Sequence, residues 1–333
     1  MHPTFIFLAS LVLAASADER LERYSQRGVH MGVEFEVVLY APSEAAAKQA
    51  LLAAFTRVAQ LDKCLSDYDP ESELSKLSAG SPSAAPVKVS DDLWAILRTS
   101  QELSERSEGK FDITIGPLTK LWRRARRQKE LPAKELIAKA LESVGYKHLE
   151  LDEKLHTARL RQPNMRLDAG GIAKGYAAEE ALSTIRKLGI TRALVRASGD
   201  IAVGDPPAGE KGWKIGLAPL DPDQPPERFI WLKNAAVSTS GDARQHLIVD
   251  GKRYSHIIDP QTGYGVSSRS SVSVIAPRGM DADSLASAVS ILGPEKGLKL
   301  VEETPGAAVL MIVEENGSQK PYSSSRFANI EAK

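Results

Sequence analysis

A lone cysteine, Cys64, stands in a chain of 333 residues. One thiol cannot close an internal disulfide, and a cysteine-built zinc cage is excluded. Stability therefore rests on the core. Cys64 lies at helical spacing in Val58-Ala-Gln-Leu-Asp-Lys-Cys64 and reads as part of that packing. An excess of one charge is also missing, because 43 basic residues balance 43 acidic ones. No global field then favours nucleic acid or an anionic membrane, so a partner must be recognised at a local site. The sequence has no low-complexity tract, no internal repeat and no linker long enough to separate independent domains. What it has is a globular composition, 42% hydrophobic and 26% charged, with enough length to bury a sizeable core.

The longest early apolar run, Phe5 to Ala15, is too short for a bilayer, which needs ~20 residues. Ala15-Ser16-Ala17 then offers small residues in an Ala-x-Ala pattern, followed by Asp18-Glu19-Arg20. This predicts a secretory signal peptide over residues 1–17, removed after Ala17, and a periplasmic mature chain, residues 18–333. No cysteine follows that site to carry a lipid anchor. The other reading of the run is a buried N-terminal helix.

Periodicity predicts a strand over Val33–Tyr40 and a helix from Glu44 to about Leu61 capped by Ser43. A short helix follows Ser72, and another runs from Ser90 to about Ser107. Gly109–Pro117 reads as an extended segment. Lys120–Lys129, rich in Arg and Lys, reads as a solvated helix face, with a nucleic-acid patch as the alternative. A helix is expected over Ala133–Val144, strands over His148–Leu151 and Ala158–Arg161, and a helix over residues 172–188 stopped by Gly189. Strands are expected near Ala193–Arg196, Trp213–Leu217, Phe229–Leu232, His246–Val249, Tyr254–Ile258 and Ser271–Ala276. A helix capped by Asp281 should end at Leu292 before Gly293-Pro294, with Ala307–Val313 as the last strand. The pattern is α+β with mixed or antiparallel sheets flanked by helices.

Five segments carry chemistry. In Asp168-Ala-Gly-Gly-Ile-Ala-Lys174, two glycines precede a helix start, where free N–H groups, the positive helix end and Lys174 suit an anion; simple packing is the alternative. The spacing is neither a P-loop nor a dinucleotide fingerprint. Ser198-Gly-Asp200 and Ser238-Thr-Ser-Gly-Asp242 follow expected strands and offer either backbone wrapping of a ligand or ordinary turns. His256, beside the Asp259-Pro-Gln-Thr-Gly263 turn, is either a base for a hydroxyl proton or a structural strand histidine. Asp283 and Ser287, spaced i and i+4, direct two oxygens from one helix face, which suits Mg²⁺; Asp283 otherwise only favours the helix start.

Taken in order, these segments resemble the FAD:protein FMN transferase (ApbE) family. Met31-Gly32, Leu65-Ser-Asp-Tyr-Asp-Pro-Glu-Ser-Glu-Leu-Ser-Lys-Leu77 and Lys110-Phe-Asp-Ile-Thr-Ile-Gly-Pro-Leu118 add to the likeness, which runs from about Gly28 to Ser325. The resemblance implies a single two-lobed domain with a T-fold-related core. It implies transfer of FMN from FAD to a Ser or Thr of a respiratory or electron-transfer flavoprotein, with Mg²⁺ and loss of AMP. By the same likeness, Met31 and Tyr68 would line the flavin, and Asp112 would make a further FAD contact. Asp168, Gly170, Gly171 and Lys174 would hold the diphosphate, and Gly199, Asp200, Ser238, Thr239, Ser240, Gly241, His256 and Ile257 would make further FAD contacts. Gly171, Asp283 and Ser287 would ligate the metal. His256 would be the base, with Asp259 shaping its turn. Ser287, Ser198, Ala169, Ala243 and Gln261 stand where the family usually has Thr, Gly, Leu, an aromatic and a basic residue. Rival readings are an FAD pyrophosphatase with water as nucleophile, a flavin carrier without turnover, and a nucleic-acid binder acting through Lys120–Lys129.

Overall fold

The computed structural model describes residues 21–331 apart from 222 and 242–244. The expected signal peptide, its cleavage site, Asp242 and Ala243 lie outside the described residues. In chain order the elements are β1 (Glu22–His30), β2 (Val33–Ala41), α1 (Glu44–Leu65), α2 (Glu73–Ala79), β3 (Val87–Lys88), α3 (Asp91–Arg106), α4 (Gly116–Gln128) and α5 (Lys134–Leu141). Next come β4 (Leu149–Asp152), β5 (Thr157–Leu160), α6 (Ala173–Lys187), β6 (Ala193–Ala197), β7 (Asp200–Val203), β8 (Trp213–Gly216), β9 (Phe229–Leu232) and β10 (Ala235–Gly241). The chain closes with β11 (His246–Val249), β12 (Lys252–Ser255), β13 (Ser270–Ala276), α7 (Gly279–Glu302), β14 (Ala308–Glu315) and β15 (Ser318–Ser323).

An eight-stranded sheet, ordered β1-β2-β6-β7-β10-β13-β14-β15, organises the molecule, and each neighbouring pair runs antiparallel. Successive side chains of a strand point to opposite faces. In β2, Phe35, Val37 and Leu39 therefore enter the main core under α1, α6 and α7, while Val38 faces a second core closed by the β8–β9 hairpin. Both faces being covered explains why β2 reads as a continuous apolar run. A third, smaller core joins Leu118, Trp122 and Ala125 of α4 to Ile137 of α5, Leu247, Tyr254 and Ile258. The result is the expected mixture of helices and antiparallel sheets.

Several local expectations are corrected. Gly109–Pro117 is not extended. The Asp112 carboxylate accepts bonds from Thr114 N (2.8 Å), Thr114 Oγ1 (2.7 Å) and Tyr146 N (2.7 Å), which curls the chain into turns before α4 starts at Gly116. Ser238–Gly241 lie within β10 rather than after a strand. His256 sits just past β12 rather than on it. Arg278, not Asp281, is the cap residue of α7, and Asp281 pairs with Arg278 in the first turn. The helix does not end at Gly293. It kinks there at φ 73° and resumes through Pro294, which is tolerated because proline suits a new first turn. β14 is followed by β15, and β1 and β7, whose polar or short sequences carry weak strand signals, complete the sheet.

Candidate active site

The start of α6 is fixed by an unusually close helix contact. Any side chain at Gly175 would put its first carbon 2.1 Å from the Gly279 carbonyl oxygen, so the backbones of α6 and α7 touch. That contact brings α7's Asp283 against the first turn of α6. Its carboxylate is 2% exposed and accepts the Gly175 N–H at 3.0 Å. One turn further along α7, Ser287 abuts the glycine turn: a Cβ on Gly171 would lie 2.9 Å from Ser287 Oγ.

Lys174 reaches between β7 and α7. Its Nζ lies 3.1 Å from Asp200 Oδ2, 3.4 Å from Asp283 Oδ2 and 3.2 Å from the Gly170 carbonyl. Asp200 opens β7 after the two-residue Ser198-Gly199 turn and also accepts Ser238 Oγ at 2.5 Å. Gly199 has to be small, since a Cβ there would fall 2.8 Å from the Thr239 carbonyl. Thr239 Oγ1 is 2.8 Å from Ser273 Oγ on the neighbouring strand. Burial, and then the like charge of Asp200, push the Asp283 carboxyl up to about 6. Burial works against the Lys174 ammonium, but Asp200 and Asp283 outweigh it and hold Lys174 above its ordinary value.

These residues share a cleft of ≈730 Å³ with Tyr68, Asp112, Asp168, Gly170, Ser240, Gly241, His256 and Ile257. That volume falls within the ~300–1,000 Å³ typical of ligand sites. Asp168 Oδ1 accepts the Gly170 N–H at 2.8 Å, which shapes the glycine turn, and its Oδ2 accepts from Arg123 at 2.9 Å. His256 Nδ1 lies 3.1 Å from the Gln245 carbonyl. A carbonyl only accepts, so Nδ1 carries the proton there and the basic lone pair is on Nε2.

Two expected residues are not among those lining the cleft. The Met31 N–H bonds Asp62 Oδ2 at 2.9 Å, and its side chain packs at the edge of the main core. Asp259 accepts the Gln261 N–H within its own turn, and Lys110 Nζ holds its carboxylate at 2.9 and 3.1 Å. Sequence reading overlooked Lys110, Thr119, Arg123 and Arg126, all of which line the cleft. Thr119, Arg123 and Arg126 recur at helical spacing on one face of α4, so the basic run is only partly solvated. Arg124 and Arg127 are exposed, whereas Arg123 pairs with Asp67 and Asp168 and stacks 4.3 Å over the Tyr68 ring. The signal was the apolar Leu118, Trp122 and Ala125 stripe, which fixes how that helix must roll.

The donor set suits a hard cation. Two buried carboxylates, Asp200 and Asp283, share one ammonium, which leaves a negative charge for a further cation to balance. Asp283, Ser287 and the Gly171 backbone offer only oxygens, as Mg²⁺ prefers. Among the described residues no group of three or more His, Cys, Asp or Glu forms a metal cage, so the remaining ligands would come from substrate phosphate and water.

The profile of the ApbE family matches residues 31–311. An FAD:protein FMN transferase of Treponema pallidum is 33% identical over 88% of this chain and 85% of its own length. That of Vibrio cholerae serotype O1 is 30% identical over 98% of both. The solved flavin transferase ApbE from Vibrio cholerae superposes with a TM-score of 0.84 at 29% identity, covering 93% of this chain and 99% of that one. Fold and sequence agree: the chain belongs to the ApbE family.

Proposed function

We propose that this protein transfers FMN from FAD to a Ser or Thr hydroxyl of an acceptor protein, as an exported, Mg²⁺-dependent enzyme. The observation that carries the reading is that His256 shares one cleft with the Lys174, Asp200 and Asp283 cluster. A diphosphate at the start of α6 would meet the positive helix end and the Lys174 ammonium. Mg²⁺ held by Asp283, Ser287 and the Gly171 backbone would add positive charge at the phosphate oxygens as negative charge builds there. Tyr68, 76% exposed at the mouth, offers a flat surface for the flavin ring.

His256 Nε2 takes the proton from the acceptor hydroxyl. That oxygen forms a bond to the FMN-side phosphorus, the bond to the bridging oxygen breaks, and AMP leaves with the electron pair. The acceptor keeps the flavin as a phosphoester. An electron-transfer flavoprotein with an exposed Ser or Thr is the expected partner.

The test is to incubate the protein with FAD, MgCl₂ and candidate acceptor subunits and weigh the products. An acceptor heavier by one FMN with matching AMP supports the reading. Free FMN and AMP with no adduct on any acceptor would replace it with hydrolysis.

A further inference from the structure

Arg126 is a cation with no anion paired to it among the described residues. It lines the cleft and is half-buried, yet no hydrogen bond or ion pair engages it among the described residues. Its neighbour on the same helix face, Arg123, is already committed to Asp67 and Asp168. Burial, then the charges of Arg123 and Arg127, hold the Arg126 guanidinium below its ordinary pKa. A half-buried guanidinium among like charges is costly unless a partner arrives. Guanidinium forks pair best with planar carboxylates or with phosphates.

The position discriminates between those partners. The diphosphate seat has its own cation, Lys174, and its own helix start. Arg126 lies instead one helical turn beyond Arg123, whose guanidinium stacks 4.3 Å over the Tyr68 ring, and Tyr68 is 76% exposed. Arg126 thus lies beside an exposed part of the cleft lining, open to a protein substrate. We propose that Arg126 receives an acidic side chain flanking the acceptor Ser or Thr, and so selects acceptors by charge. The inference rests on the transferase reading for the identity of that partner.

The test uses the full protein with FAD and MgCl₂ and fluorescein-labelled synthetic peptides. Each peptide has a central Ser and differs only in carrying Asp, Asn or Lys beside it. Fluorescence anisotropy should show the Asp peptide bound about tenfold more tightly than the Asn peptide, the order expected for one charged hydrogen bond. Arg126→Ala should erase the preference, Arg126→Glu should invert it toward Lys, and Arg126→Lys should keep part of it. FAD affinity, read from flavin fluorescence quenching, should change less than twofold. Equal binding of the three peptides, or an Asp preference that survives Arg126→Glu, overturns the proposal. A fall in FAD affinity on Arg126→Ala with the peptide preference intact would assign Arg126 to the dinucleotide instead. Tighter binding of duplex DNA than of any peptide would likewise defeat it. Charge-selective peptide binding with no flavin transfer would remove the transferase reading and leave the acidic-peptide site standing.

Discussion

Trp122 donates its indole N–H to the Gly263 carbonyl at 2.7 Å. The bond ties α4, whose polar face lines the cleft, to the turn that follows His256. The ring is fully buried and packs 5.5 Å from Tyr254 and 6.1 Å from Tyr264. Gly263 also donates to the Asp259 carbonyl at 2.8 Å, so the anchor and the turn are one unit.

Trp122→Phe keeps most of the ring but strands a buried carbonyl. It should cost about 1–3 kcal/mol. Trp122→Ala should cost about 3–5 kcal/mol. Urea unfolding of both variants checks the order. If the indole bond also positions His256, Trp122→Phe should lower kcat at an unchanged KM for FAD; an unchanged kcat would confine Trp122 to stability.

Replacing His256 with Asn should leave FAD binding intact while flavin transfer falls by ~10²–10⁴-fold. Flavin fluorescence of the acceptor after gel separation measures transfer, and quenching of free FAD measures binding. Wild-type transfer by this variant would remove His256 as the base.

Asp283 must be ionised to hold a cation. Its carboxyl titrates at about 6, so the charged form dominates only above that value. Mg²⁺ affinity should therefore fall as pH drops through about 6, losing close to tenfold for each further unit. Titration calorimetry at pH 7.5, 6 and 5 reads this directly. Asp283→Asn should abolish the pH dependence along with most of the affinity.

Much of this arrangement was legible in the chain. Ser43, Ser72 and Ser90 announce their helices, and each side-chain oxygen does cap the following turn. The glycine pair before Lys174 marks the α6 start, where it suits close packing as well as an anion. Arg123 and Arg126 escaped notice because their role depends on how α4 rolls against a hairpin more than a hundred residues away, and a run of like charges does not encode that. The Gly109–Pro117 segment misled for a related reason. Its alternating apolar residues mimic a strand, but a single carboxylate, Asp112, bonds the local backbone and wins.

Gly175→Ala tests the α6–α7 seam. The added methyl would collide with the Gly279 carbonyl, forcing the helices apart at a cost of about 1–3 kcal/mol or more. Thermal melting should register the loss, and Mg²⁺ affinity should fall with it, since Asp283 is carried on the displaced helix. A variant that binds the metal normally would show that the seam does not set the site.

The α6–α7 contact is made by main-chain atoms, which every amino acid shares. The interval between the start of α6 and the Asp283 carboxylate is thus measured by a ruler that core substitutions do not alter. An engineer could repaint the apolar interior around it and still find the two walls of the cleft at the same separation, provided Gly175 and Gly279 are left bare.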